Sequence, residues 1–204
     1  MTQRGNLFVM TGASGVGKDT IRHAALPDID DIYFSISATT REKRMGEVHG
    51  KQYFFHSKEE FEAMLVNDGM LEYAEYVGDY YDTPAQPVKD ALARGEDVLL
   101  ELELVGARQV KEKLPEAIMV FIAPPNIIEL ERRLRGRGTD SEEKIQKRLA
   151  RAREEIRAVK EFDYVVVNDM LTKAVRDFSS IIYAERAKAK YITQQDITRF
   201  LKEL

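Results

Sequence analysis

The chain has 204 residues, with 31 Lys and Arg against 35 Asp and Glu and a formal net charge of -4. That length fits one domain, and 44% apolar with 32% charged residues fits a soluble globular chain and excludes a disordered or collagen-like one. A mildly acidic chain is a poor general polyanion binder, so no nucleic-acid partner is expected and any phosphate must be met by local basic clusters.

In chain order, Leu7 to Met10 is a short apolar strand. Gly12-Ala-Ser-Gly15-Val-Gly17-Lys18 follows it and leads into a helix closed by Pro27 and Asp28. Tyr33 to Ser37 alternates bulky and small residues as a strand does. A polar loop with Arg41, Lys43 and Arg44 leads to Tyr53 to Phe55. Ser57-Lys-Glu-Glu60 is a capping box that predicts a helix to about Asn67. Leu71 to Val77 and Tyr80 to Thr83 read as strands around Gly78-Asp79, a hairpin signal. A helix over about Gln86 to Arg94 stops at Gly95.

Val98 to Leu102 reads as a central strand, Gly106 leads into a helix ending before Pro115, and Ala117 to Ala123 is a fully apolar strand covered on both faces. A helix starting at Asn126 to Glu129 runs into the arginine-rich 132–138 stretch. Asp140-Ser141-Glu-Glu143 opens a long charged helix to about Glu161. Tyr164 to Val167 is the last strand, and helices over about 171–188 and 193–204 complete the chain. Strands alternating with helices predict a doubly wound α/β sheet. The Thr39 to Thr83 segment breaks the rhythm and reads as an insertion outside that sheet.

With no cysteine, the chain has no disulfide, thiolate metal site or cysteine nucleophile. His23, His49 and His56 lack metal-ligand spacing. The longest apolar run, Ala117 to Ala123, is too short to cross a bilayer, and no long apolar segment follows Arg4 as a signal peptide requires. No membrane partner is expected, and the expected location is the cytoplasm.

Gly12 to Lys18 has the GxxxxGK spacing between a strand and a helix. Its glycines let backbone N–H groups point at phosphate oxygens, the helix N-terminus adds partial positive charge, and Lys18 adds a full one. The residue after the lysine, usually a Ser or Thr that holds magnesium, is Asp19, followed by Thr20. Asp19 either holds Mg²⁺ through water, repels triphosphate, or is simply an acidic residue in a helix's first turn. Sequence leaves all three open.

Arg41 and Arg44, with Tyr53 downstream, can grip a dianionic phosphate, although a solvated basic loop has the same pattern. Glu72 in Leu71-Glu-Tyr-Ala-Glu-Tyr76 can accept two hydrogen bonds from a base edge with adjacent N–H donors, which guanine has and adenine lacks. An outward-facing strand carboxylate fits that pattern equally.

At this point the chain resembles the guanylate kinases, a family of nucleoside monophosphate kinases, over nearly its whole length to about Lys188. The matching segments are Gly12 to Lys18, Ser35-Ile-Ser-Ala-Thr-Thr-Arg41, Arg44-Met-Gly-Glu47 through Tyr53-Phe-Phe, Gly78-Asp-Tyr-Tyr81-Asp-Thr83-Pro, Val98 to Ala107, Phe121 to Pro125, Arg133-Leu-Arg-Gly-Arg137-Gly-Thr, and Val167-Asn-Asp169.

The resemblance implies an α/β P-loop kinase. A central parallel sheet (core 1–36 and 86–204) would be flanked by helices, with a GMP-binding insertion at about 37–85 and a lid at about 133–148. It implies ATP plus GMP giving ADP plus GDP with Mg²⁺. Gly12, Ala13, Ser14, Gly15, Val16, Gly17, Lys18, Asp19 and Thr20 would hold ATP, and Asn168 sits where the family contacts adenine. Arg41, Arg44, Tyr53 and Tyr81 would hold the GMP phosphate, and Ser37, Glu72 and Thr83 would read the base with Glu103 nearby. Arg133, Arg137 and Arg148, with Lys18 and Arg41, would surround the transferring phosphoryl group. No metal ligand is assigned and the oligomeric state is open.

The chain departs from the family pattern at Asp19, at Asp82 in place of a usual glycine, at Ala85, at Glu103 where Asp is commoner, and at Val105 in place of a usual glutamine. Two other readings accompany the leading one: a non-catalytic guanylate-kinase-like binding module, and a kinase of the same fold with a different phosphate-bearing acceptor.

Overall fold

A computed structural model describes residues 4–67, 69–76, 78–136, 138 and 140–202. Val77, at the end of an expected strand, and Arg137, an expected site residue, lie outside the described residues. The strands in chain order are β1 Leu7–Gly12, β2 Ile32–Phe34, β3 Ala38–Thr39, β4 Phe54–Phe55, β5 Met70–Tyr76, β6 Asp79–Pro84, β7 Asp97–Glu101, β8 Ile118–Ala123 and β9 Tyr164–Val167. The helices are α1 Lys18–Ala25, α2 Lys58–Val66, α3 Ala85–Arg94, α4 Leu104–Lys113, α5 Ile127–Gly136, α6 Glu142–Arg157, α7 Leu171–Arg186 and α8 Gln194–Phe200.

The main sheet is parallel, in the order β2-β7-β1-β8-β9. Parallel neighbours need crossover helices, and these cover both faces, so every residue of β1 is buried. One face carries Phe8, Met10, Val120 and Ile122 against α1, α5, α6 and α7, with Phe178 and Leu134 among the fully buried side chains. The other face packs Val9, Leu100 and Met119 against Val88 and Leu92 of α3 and Val110 of α4.

Strands β3 to β6 form a second, four-stranded sheet in the order β4-β3-β6-β5. The strand expected over Tyr33 to Ser37 ends at Phe34. Ser35 N–H still donates to Leu99 O in the main sheet (3.0 Å), but Ser37 O accepts from Phe54 N–H in the second one (2.9 Å). The chain changes sheets within those three residues. β5 and β6 pair antiparallel, with Glu72 opposite Thr83 and Ala74 opposite Tyr81, and Gly78 takes a φ of 84°.

α2 has the expected capping box: Ser57 Oγ accepts from Glu60 N–H, and Glu60 accepts from Ser57 N–H. Its Phe61 stacks on Tyr80 (4.4 Å) and meets Tyr73 edge-on (5.9 Å). β5 is tied to α4: Tyr73 N–H donates to Gln109 Oε1 (3.2 Å), and Gln109 Nε2 donates to Tyr73 O (3.0 Å).

The long charged helix ends at Arg157, and a 3₁₀ turn covers Ala158–Glu161. α8 is shorter than expected, capped by Thr193 and Asp196, and carries exposed Ile197 and Phe200.

Candidate active site

The loop between β1 and α1 is built to meet an anion. Gly15 and Gly17 stand at φ 89° and 95°, which a side chain would strain. A Cβ on Gly15 would lie 2.6 Å from Leu134 Cδ2, and one on Gly17 would lie 2.7 Å from Asn168 Nδ2, so the loop is packed closely from behind. Ala13 and Val16 are fully buried and anchor it. Gly17 is the N-cap of α1 and supplies no side-chain cap, so the first-turn N–H groups face the loop where an anion can meet them. Lys18 Nζ donates to Gly12 O (2.8 Å), which curls the side chain over the loop mouth.

Several expected residues converge on this loop. Arg148 on α6 donates from Nε and Nη2 to Ser14 Oγ (3.1 and 2.8 Å) and pairs with Asp140, whose side chain is buried. Arg133 on α5 donates to Glu129 (2.8 Å) and to Asn168 O (2.9 Å). Asn168 is buried and its Nδ2 donates to Val16 O (2.8 Å), so it braces the loop from the end of β9. Thr20 is exposed.

Asp19 is exposed and accepts from Arg22 (3.1 Å). Arg22 also donates to Glu101 at the end of β7 (3.0 Å) and lies 4.0 Å over the Phe34 ring. Burial pushes the Glu101 carboxyl up, Asp19 adds to that, and Lys18 and Arg22 oppose it. Arg132 and Arg135 make exposed ion pairs with Glu129, Glu131 and Glu142, as a solvated helix face would.

A cavity of about 630 Å³ opens between the second sheet and α4. Arg41, Tyr53 and Tyr81 meet at one end. Arg41 Nη2 donates to both oxygens of Glu47 (2.8 and 3.0 Å), and its guanidinium lies 5.6 Å from the Tyr53 ring centroid. The Tyr53 and Tyr81 rings meet edge to face at 5.9 Å. The Arg41 guanidinium holds the Glu47 carboxyl below the usual carboxylate range. Burial pushes the Tyr53 phenol up, so it remains an O–H donor. Arg44 joins through its backbone, donating N–H to Glu47 (2.8 Å), and its side chain is exposed. Ser37 lines the cavity.

Glu72 is buried deeper in. Thr83 Oγ1 donates to its Oε1 (2.7 Å), and a Cβ on Gly106 would lie 2.4 Å from its Oε2, so a side chain there would displace the Glu72 carboxylate. Burial pushes its carboxyl up to about 7; the Thr83 hydrogen bond opposes this, and Asp82 and Glu103 add to it. An outward-facing strand carboxylate is thereby excluded.

Asp82 is 1% exposed and, among the described residues, neither carboxylate oxygen has a hydrogen-bond partner. Burial pushes its carboxyl up to about 6; His56 and the Ala38 amide, which is outside hydrogen-bond geometry, give partial relief. A raised folded-state value means the ionised form destabilises the fold above about pH 6, and the penalty fades as pH falls toward 4. Asp82→Asn is therefore expected to stabilise the protein by about 1–3 kcal/mol at pH 8 and by much less at pH 4.5. Urea unfolding at both pH values checks this; an equal gain at both would exclude ionisation as the cause.

Sequence reasoning missed Arg151 and Glu155. Arg151 pairs with Glu103 across the cavity mouth and donates to Glu155 (3.0 Å), whose other oxygen is buried without a partner among the described residues. The four-residue spacing of Arg151 and Glu155 on one helix was the available signal; nothing local points to Glu103.

A parallel sheet carrying a glycine loop and lysine at its first strand, with an arginine-bearing helix over the loop, defines a P-loop kinase. The model of the guanylate kinase family matches residues 4–185. A guanylate kinase of Thermus thermophilus is 58% identical over 186 residues, covering 91% of this chain and 84% of that protein. One from Streptococcus thermophilus is 50% identical over 193 residues, 94% and 92% of the two. The crystal structure of guanylate kinase from Anaplasma phagocytophilum superposes with a TM-score of 0.76 at 29% identity, covering 100% of this chain and 99% of that one. The chain belongs to the guanylate kinase family.

Proposed function

We infer that this chain transfers the γ-phosphoryl group of ATP to GMP, giving ADP and GDP. The observation that carries the reading is the pairing of two phosphate stations with one base-reading pocket. The glycine loop with Lys18 forms the first station, and Arg41, Tyr53 and Tyr81 form the second. Glu72, held by Thr83, faces the cavity beyond.

Phosphoryl transfer asks little covalent chemistry of a protein; it asks for in-line phosphates and positive charge where oxygens gain charge. Lys18 and the loop N–H groups take the donor phosphates. Arg41, with the Tyr53 and Tyr81 hydroxyls and Arg44 at the rim, takes the acceptor phosphate, and Glu47 keeps Arg41 extended toward it. Arg133 and Arg148 flank the loop and stabilise the group in transit, as Arg137 does in this reading. Ionised Glu72 accepts the N–H pair of guanine, and Ser37 and Thr83 supply hydroxyls beside it. Asn168 contacts the adenine side of the loop.

Asp19 and Glu101 carry carboxylates bridged by Arg22 (3.1 and 3.0 Å); on exchanging that cation for Mg²⁺, a hard cation that takes one or two carboxylates plus substrate phosphates, they would hold a metal that neutralises phosphate charge. We assign no nucleic-acid partner, and place the chain in the cytoplasm with its nucleotide substrates.

A coupled assay with purified protein and ATP–Mg²⁺ tests the reading. ADP release should depend on GMP, and GMP should exceed dGMP, AMP, CMP and UMP in kcat/KM. No GMP-dependent release, or a better acceptor in the panel, would overturn it.

A further inference from the structure

The acceptor cavity is short of positive charge. Five carboxylates line it: Glu72, Glu75, Asp82, Glu101 and Glu103. Among the described residues lining it, Arg151 is the one cation. The charge of nearby Arg41 is already engaged by Glu47. A dianionic monophosphate entering this cavity therefore meets an excess of negative charge, of which Arg151, itself paired with Glu103 and Glu155, neutralises the Glu103 share at the mouth.

Arg151 sits on α6 three residues after Arg148, so one turn of one helix touches both halves of the site. Arg148 reaches Ser14 of the glycine loop, and Arg151 reaches Glu103 at the N-terminus of α4. Glu155, one turn further and buried, holds Arg151 from below (3.0 Å). The pair with Glu103 is half-exposed, and such pairs add little to stability, so the fold does not require it. Glu103 has no hydrogen bond to the α4 backbone that it caps, so Arg151 is what orients its carboxylate.

We propose that Arg151 is a positioning residue for the acceptor nucleotide: it fixes the Glu103 carboxylate at the cavity mouth and offsets the acidic lining that the acceptor phosphate must pass. This rests on the reading of the chain as a GMP kinase. The contact at stake is the charge-assisted hydrogen bond that an oriented Glu103 would make to the acceptor, whose loss lowers affinity by roughly ten- to hundredfold.

The test is steady-state kinetics on wild type, Arg151→Ala, Arg151→Lys, Glu103→Gln and the Arg151→Ala/Glu103→Gln double variant. GMP is varied at saturating ATP, and ATP at saturating GMP. Arg151→Ala should raise KM for GMP roughly ten- to hundredfold while kcat and KM for ATP stay within about threefold. Arg151→Lys should recover part of the loss by keeping the charge. Adding Glu103→Gln to Arg151→Ala should do no further harm, because the carboxylate has already lost its holder.

An unchanged KM for GMP in Arg151→Ala, an equal loss in kcat and KM for ATP, or multiplying effects in the double variant would each overturn the proposal. Circular dichroism checks folding; if Arg151→Ala unfolds, Arg151→Gln makes the same comparison. Wild type without GMP turnover would overturn the GMP kinase reading and this inference with it, whereas wild-type turnover with an unmoved KM overturns the inference alone.

Discussion

Lys18→Ala is expected to lower kcat by roughly 10³-fold, a loss typical of removing a donor aimed at charge that develops in a transition state. Lys18 is the first residue of α1, and its ammonium meets the Gly12 carbonyl over the loop mouth. That single bond to a backbone oxygen is partly exposed, and losing it should scarcely move the unfolding midpoint. The two readouts should therefore separate: a single-turnover rate falling by orders of magnitude beside a thermal midpoint within a few degrees. A rate loss below tenfold would remove Lys18 from the phosphate site. A collapse of the midpoint would make the residue structural.

Glu72→Ala is expected to erase acceptor discrimination. Sites that hydrogen-bond a substrate group can reject an analogue lacking it by roughly 10⁴. Removing the carboxylate should lower kcat/KM for GMP by a comparable factor and leave the low value for AMP nearly unchanged; equal losses for both would contradict base reading.

Glu72 also sets a pH dependence. With its carboxyl near 7, acidification protonates the oxygens that guanine's N–H groups require. KM for GMP should rise as pH falls from 8 to 6, and Glu72→Gln should flatten that profile. The same raised value means that ionised Glu72 destabilises the folded state at neutral pH, a cost that guanine binding offsets with two charge-assisted hydrogen bonds.

Much of this site was legible because its signals are local. Gly12 to Lys18 places its glycines, lysine and helix start within seven residues, and the strand before it is apolar throughout. The Ser57–Glu60 capping box formed as written. Arg41 and Tyr53 lie on one polar loop, whose alternative as a solvated basic segment gives way to the partly buried contacts with Glu47 and Tyr81. The resemblance ordered these pieces into one enzyme family.

Other features depend on packing that no short window contains. The strand expected to run to Ser37 is divided because two sheets compete for its backbone, and each satisfies part of it. Asp82 stands out in the sequence only as a departure from the family's usual glycine, yet the second sheet buries it with no hydrogen-bond partner among the described residues. Asp19 left three readings open; its pair with Arg22 is three residues away on the same helix, whereas the bond from Arg22 to Glu101 crosses 79 positions and comes only from the packing of the fold.

What the sequence by itself determined is the phosphate loop, the alternation of strand and helix, and the family, since each rests on residues within hydrogen-bond reach along the chain or on ordered motifs. The tertiary structure alone decided that Glu72 lies buried against Gly106, that Arg148 reaches Ser14 across 134 positions, and that Arg151 meets Glu103 across 48. Those contacts follow from the strand order β2-β7-β1-β8-β9 and the second sheet docked on α4. Distance in space is set there by layer packing, which spacing along the chain does not encode.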